Sequence, residues 1–301
     1  MLKKMYKIRV KENIYKWIFT VLAFSSLIFL TGIIAVLFLE GLPVFKEIGI
    51  KDFLTGLRWY PTYEDAPQFG IFSMISASFF VTIGAMFIAV PLGLGSALFI
   101  HELAGEKAKI WLKPVIELLG AVPSIVFGFF GMVVVAPFLQ NVFKLPTGLC
   151  AFTGMVVLGI MAIPTICSIA EDALSFVPGS FREASYALGA NRWQTLWKVI
   201  MPAAGSGVST ALILGISRVI GETMTVLMVT GGAAVFPSSI FSPVRTMTAT
   251  IAAEMGEAPV GGIHYHALFA IGLVLFFITL VLNMVAEIIS RRYRVKLGLD
   301  L

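Results

Sequence analysis

Charge is scarce in this sequence. Only 13% of its 301 residues are Asp, Glu, Lys or Arg, 58% are hydrophobic, and the mean hydropathy is +0.94. Soluble domains carry about 25% charged residues, so a soluble enzyme and a disordered chain are both excluded and a bilayer is the expected solvent. Cysteine is nearly absent. Cys150 and Cys167 are the two present, and their spacing along one expected helix puts them roughly 25 Å apart, too far for a disulfide. His264 and His266 form a His-x-His pair, but no further ligand cluster stands nearby, so they read as two polar residues of an outside loop rather than as a metal site. No G-x-x-x-x-G-K-[ST] pattern occurs, so the chain lacks the loop that cradles ATP phosphates. No internal repeat is visible, and nothing supports an inverted-repeat secondary carrier.

What is present is a set of long apolar runs. At about 20 apolar residues per crossing, uncharged runs at Trp17 to Leu39, Ile71 to Ile100, Leu118 to Asn141, Leu145 to Ala170 and Ala267 to Ala286 predict five membrane helices. Gly205 to Thr230 is as apolar but carries Arg218 and Glu222, and it makes the predicted count six. The first run lacks a small-x-small pattern at its end, so it reads as a retained helix rather than a cleaved signal.

The fold expected is therefore an all-α membrane protein. The 22 basic residues against 17 acidic ones raise nucleic acid as a partner, but their distribution excludes it. With the N-terminus inside, sixteen of the Lys and Arg residues fall on inside segments and five outside. Those inside sit in the first tail (Lys3, Lys4, Lys7, Arg9, Lys11, Lys16), the 101–116 and 171–204 loops, and the last tail (Arg291, Arg292, Arg294, Lys296). That bias obeys the positive-inside rule and predicts two cytoplasmic termini.

The chain divides by this reading into residues 1–70 (tail, first helix and outside loop), a core of five helices at 71–290 with a cytoplasmic loop at 171–204, and a tail at 291–301. The outside loop, Glu40 to Gly70, carries Trp59, Tyr60 and Tyr63 beside Glu64 and Asp65, with Pro61 and Pro67. A loop that long reads as an ordered docking surface or as a passive connector. In the second outside segment, 231–266, Thr246 to Met255 reads as a short helix between Gly and Pro breaks, with part of the segment folding back into the membrane. Gly84, Gly93, Gly95, Gly128 and Gly131 within the runs read mostly as helix-packing devices.

Arg218 and Glu222 are the principal chemical clue. A charge at the centre of a membrane helix costs roughly 2.5–3.5 kcal/mol on insertion scales. Their four-residue spacing predicts one shared helix face, which Thr225 continues. Two readings follow: a mutual ion pair that fixes packing, or an anion path in which the Arg fork binds an oxyanion. A carboxylate beside it would suit phosphate, which keeps a proton near neutral pH, better than sulfate, which has none.

The segment SFREASYALGANRWQTLWKVIMPAAGSG, Ser180 to Gly207, predicts two short amphipathic helices. Ser180 caps the first and Gly189 ends it; the second starts near Asn191, and Pro202 leads into the next span. Physics alone leaves an interfacial anchor and a docking element for a soluble partner equally open. The spacing Glu183-Ala184, Gly189 and Pro202 resembles the EAA loop of bacterial ABC import permeases, with Ser185 in place of the usual Ala. Three further stretches, Glu117 to Gly131, Arg218 to Gly232 and Pro243 to Ala258, resemble the permeases of the phosphate-specific transport system; the third-span motif and Gln68-Phe69-Gly70 look more like its C type.

The resemblance implies a type I ABC importer permease fold in a bacterial or archaeal cytoplasmic membrane. It implies a sister permease, a pair of ATP-binding subunits that hold ATP and Mg, and an external phosphate-binding protein; no cofactor is expected on this chain. It also implies that Arg218 and Glu222 line the phosphate path, while Glu183, Ala184, Gly189 and Pro202 couple to the ATPase. Three rivals remain at this point. A sulfate or molybdate permease shares the Arg and Glu, an ion-driven carrier would not need the 183–202 loop, and a membrane scaffold would not need the buried charges.

Overall fold

The computed structural model describes residues 2–63 and 66–296. Glu64, Asp65, residues 297–301 and the basic side chains of residues 3–11 and 291–296 lie outside the described residues. The chain begins with α1 (Leu2–Gly41), followed by the short α2 (Val44–Glu47) and α3 (Ile50–Thr55). A hairpin follows, β1 (Trp59–Tyr60) against β2 (Gln68–Phe69), with Trp59 opposite Phe69 and Tyr60 opposite Gln68. Then come α4 (Phe72–Leu98), continued by a π-helical turn at Phe99–Leu103, and α5 (Glu106–Ala121).

The next span is α6 (Ser124–Phe130), a π-helical turn at Gly131–Val135 and α7 (Ala136–Phe143), which leads to α8 (Ala151–Ser175). The segment of two short helices is α9 (Gly179–Ala187) and α10 (Arg192–Thr195), with a π-helical turn at Leu196–Ile200 and α11 (Met201–Ala203). Last come α12 (Gly205–Ile220), α13 (Met224–Val229), α14 (Met247–Glu254) and α15 (Ile263–Lys296). Among the described residues five helices are long and apolar enough to cross a membrane, and a sixth span appears when the pair meeting at Ala204 with a 71° bend is counted as one.

Pairing of α4 with α8 forms the middle of the bundle, where Val81, Ala85, Leu158 and Ala162 are buried. Small residues permit the approach: a Cβ at Gly93 would stand 2.9 Å from Ile166, and one at Gly159 the same distance from Ile88. Gly128 and Gly131 are likewise closed in, by Met228 and Val229, whereas Gly95 faces open space and is not a packing device. Helix α1 meets the rest through α15, where Phe38 and Phe277 stack edge to face at 6.0 Å. From Tyr15 on, the apolar surface of its membrane-spanning stretch is largely exposed, as suits a helix in lipid.

Four sequence expectations change. The run Leu118 to Asn141 is not one helix: Val122 is extended (ψ 129°) because it precedes Pro123, so α5 stops at Ala121 and the span starts afresh at Ser124. The run from Leu145 becomes helical only at Ala151 and continues past Ala170 to Ser175. Gly205 to Thr230 breaks at Gly221–Thr223, between α12 and α13. Ser180 does not cap α9, which starts at Gly179 with Pro178 in the cap position.

The residue 40–70 segment is ordered around its aromatics. Phe53, Trp59, Phe69 and Ile71 are buried against Met247 and Leu268. Gly56 and Gly70 cross with their backbones in contact, so any side chain at Gly70 would collide with the Gly56 backbone. The expected short helix at 246–255 is α14, and Thr246 caps it by accepting from Ala249 N at 3.3 Å.

Candidate functional site

The helix break at Gly221–Thr223 determines where Arg218, Glu222 and Thr225 point. Arg218 lies in the last turn of α12, Glu222 within the break and Thr225 in the first turn of α13, so the three do not share one helix face. No ion pair joins Arg218 to Glu222 among the described residues, and the packing-pair reading of the sequence falls with it.

Arg218 Nη2 instead donates to the Gly120 carbonyl at 3.4 Å, in the last turn of α5, while its Nε is buried without a partner. The Glu222 carboxylate accepts from Thr225 N at 3.3 Å, and the Glu222 carbonyl, freed by the break, accepts from Thr248 Oγ1 at 2.8 Å. Thr225 is fully buried, and its hydroxyl donates to the Ser124 carbonyl at 2.9 Å. It lies between elements rather than on an open face.

Two interruptions are thereby brought together, one at 121–123 and one at 221–223. Arg218 and Thr225 each reach from the second break to a carbonyl flanking the first. Irregular backbone inside a bilayer is tolerated only where protein buries it or where it lines a cavity. An arginine has five donors in a planar fork; among the described residues this one makes a single long bond, which leaves donors for an anion.

At one end of the bundle α9 and α10 form a compact pair. Asn191 and Gln194 make a reciprocal capping box, both bonds at 2.9 Å, and Gly189 takes φ +81°, the left-handed conformation that closes α9. Ser185 is buried, with its hydroxyl 2.8 Å from Thr195 Oγ1, which gives a physical reason for a serine where the EAA pattern has alanine. Glu183, Ala184, Gly189 and Pro202 are exposed. So are Phe176, Phe181, Tyr186 and Leu188, the last at 89%. An exposed apolar patch of that extent marks an interaction surface.

Sequence reasoning missed three carboxylates. Glu102, in the turn that continues α4, is buried and paired with Arg182, with Arg192 Nε at 3.7 Å from its other oxygen. Glu171, near the end of α8, accepts from Lys113 at 2.6 Å and Ser175 at 2.9 Å, with Lys109 at 3.2 Å. Lys113 also donates to Asp172 at 2.7 Å, and these hydrogen bonds, Asp172 first and Glu171 next, hold its pKa above the ordinary lysine range. The available signal was position: both glutamates follow closely on a charge-free run, where an acid either faces water or finds a cation.

Glu254, at the other end of the bundle, gathers Trp59 Nε1 at 2.9 Å, Arg245 Nη1 at 2.5 Å and His264 Nε2 at 2.9 Å. The two histidines therefore belong to the first turn of α15 rather than to a loop. They have separate partners, His266 Nδ1 lying 2.8 Å from the Glu40 carbonyl. Among the described residues no group of three or more His, Cys, Asp or Glu side chains could hold a metal.

Membrane-spanning helices with facing breaks at 121–123 and 221–223 and an exposed two-helix segment at one end fit the membrane component of an ABC importer. Residues 89–295 match the family described as binding-protein-dependent transport system inner membrane component, and the chain belongs to that family. It is 42% identical over 258 residues to the probable ABC transporter permease protein YqgH of Bacillus subtilis, covering 85% of this chain and 83% of that one. It is 33% identical over 295 residues to the phosphate transport system permease protein PstC of Mesorhizobium japonicum (92% and 89% covered). A probable PstC of Methanocaldococcus jannaschii is 30% identical over 277 residues (85% and 86% covered). In fold it is similar to a bacterial ABC transporter that imports alginate (TM-score 0.63, 14% identity, 94% of this chain and 99% of that one). It is also similar to the MetNI methionine ABC transporter in an inward-facing form (TM-score 0.56, 19% identity, 74% and 94% covered).

Proposed function

We propose that this chain is the membrane-spanning subunit of an ATP-driven inorganic phosphate importer, and that the break at Gly221–Thr223 lies on the phosphate path. The observation that carries this reading is Arg218: a guanidinium held between two helix breaks with a buried, unpartnered Nε. In a low-dielectric setting such a donor left unsatisfied costs about 1–3 kcal/mol, and a passing oxyanion satisfies it. Glu222, four residues on, accepts a hydrogen bond from the P–OH group that phosphate retains near neutral pH. Thr225 bounds the path from behind by tying α13 to Ser124.

In this reading the path is completed by a sister permease. ATP and Mg are held by a pair of separate ATPase subunits, and this chain has no ATPase site of its own. The exposed surface of Glu183, Ala184 and Gly189, with Pro202 behind it, receives those subunits on the cytoplasmic side, where both termini also lie. The ordered 40–70 segment and the 231–266 segment receive an external phosphate-binding protein. The 71–290 region is the permease core, flanked by segments 1–70 and 291–301. ATP acts by favouring one state of the bundle over another.

The test is radiolabelled phosphate uptake into vesicles that hold the complete complex, with sulfate and molybdate as competitors. Uptake that requires ATP and ignores both competitors is expected. Competition by sulfate or molybdate would move the substrate to that oxyanion, and uptake without the ATPase would make the chain a carrier of another kind.

A further inference from the structure

A chain of polar contacts connects the two-helix segment to the Arg218 break. Glu102 sits in the π-helical turn Phe99–Leu103, a device that often marks functional positions. Its side chain is only 5% exposed, yet its two oxygens face two different surface elements: Oε1 takes Arg182 of α9, and Oε2 lies 3.7 Å from Arg192 of α10. Arg182 Nη2 is also 3.3 Å from His101 Nε2, and His101 Nδ1 is 3.2 Å from Ser175 Oγ, which donates to Glu171 at 2.9 Å. Glu171 holds Lys113 of α5, and the last turn of that same helix presents the Gly120 carbonyl to Arg218.

Stability alone is a weak reason for this arrangement, because a buried ion pair is often matched or exceeded by apolar residues of similar volume. The geometry suits transmission. The arginines are 36% and 57% exposed, on short helices joined by the Gly189 turn, while the carboxylate they share is buried at the end of the central helix α4. A groove of about 330 Å³, lined by Leu98, Glu102, Trp193 and Trp197 among others, leaves room for α10 to move against α4.

We propose that Glu102 is a positioning residue: it converts displacement of α9 and α10 by the ATPase into movement of α4 and, through His101, Ser175, Glu171 and Lys113, of the α5 end beside Arg218. The inference rests on the import reading above. It adds a joint that lies outside the EAA-like residues themselves.

The experiment measures phosphate taken up per ATP hydrolysed, together with co-purification of the ATPase subunits, in vesicles of the complete complex. Glu102→Gln, Arg182→Gln, their double variant and Arg182→Lys are compared. With the ATPase still bound, each neutral single variant is expected to lower uptake per ATP by about tenfold, the scale of coupling within one ion-pair network. The double variant should be no worse than either single one, and Arg182→Lys should keep most of the coupling.

A wild-type ratio in both single variants, or losses that add in the double, would overturn the proposal. If Glu102→Gln does not accumulate, the exposed position decides: equal loss in Arg182→Gln and Arg182→Lys overturns the joint, and loss in Gln alone supports it. Should the wild-type complex import another oxyanion, the same ratio read with that anion still tests the joint while the phosphate assignment fails. Uptake that needs no ATP would remove both.

Discussion

A buried or nearly buried carboxylate stands near each end of α4, and the two are held differently. At its start, Glu254 binds Trp59, Arg245 and His264, whose side chains are themselves largely covered, and a layer of aromatics closes over them. A carboxylate in the last turn of a helix opposes the helix dipole, so Glu254 depends on those donors. At the far end, Glu102 binds two arginines that lie on the surface of short helices beside exposed apolar side chains. The first end is built to hold its shape, and the second is built to be moved from outside.

That contrast can be broken by substitution. The largest loss of stability is expected from Glu254→Ala, which leaves three donors without their acceptor and should lower stability by about 3–5 kcal/mol. Thermal unfolding in detergent measures it. Gly70→Ala follows, because its Cβ meets the Gly56 backbone, and a loss of about 1–3 kcal/mol is expected, the scale of overpacking. A Gly70→Ala protein that melts like wild type would remove the crossing from the account.

Smaller changes sharpen the other side. Glu102→Gln is expected to cost stability by only about 1 kcal/mol, since the arginines it releases are free to hydrate, while its effect on uptake per ATP is large. Equal melting losses for the Glu102 and Glu254 variants would dissolve the contrast. At Gly189 the Cβ meets nothing, so Gly189→Ala carries only the left-handed backbone penalty, about 1 kcal/mol, and Gly189→Asn less.

The smallest effect concerns Lys113. Its pKa is raised by Asp172 and Glu171, so its contribution is fully present below the ordinary lysine value and is lost only as pH rises through the higher, folded one. Between about pH 7 and pH 9 this lysine should therefore add no pH dependence to the melting curves, and a marked drop specific to the lysine form over Lys113→Met in that window would contradict the assignment.

Much of this architecture is readable along the chain because membrane helices are local objects. The uncharged run Ile71 to Ile100 locates α4 closely, the runs at 17–39 and 267–286 fall inside the longer α1 and α15, break residues around 246–255 locate α14, and the second short helix does start at Asn191, which caps it. The misread parts are those where backbone and tertiary partners override the run. Pro123 sets the conformation of the residue before it and divides one apolar stretch, and the Gly221 break takes Glu222 off the Arg218 face. Glu102 and Arg182 are 80 residues apart, so neither residue announces the other. The apolar runs outline the bundle well and leave its charged joints to be found in three dimensions.

The claim that Arg218 serves the anion rather than the packing is tested most directly by Arg218→Gln in vesicles of the complete complex. The substitution keeps a side chain able to donate to the Gly120 carbonyl and removes the charge. Phosphate uptake is expected to collapse by about 100-fold, the scale for losing a preorganised donor to an anion, while the ATPase subunits stay bound and the thermal midpoint barely moves. Normal uptake in the variant, or a loss of uptake matched by a loss of folded complex, would contradict it.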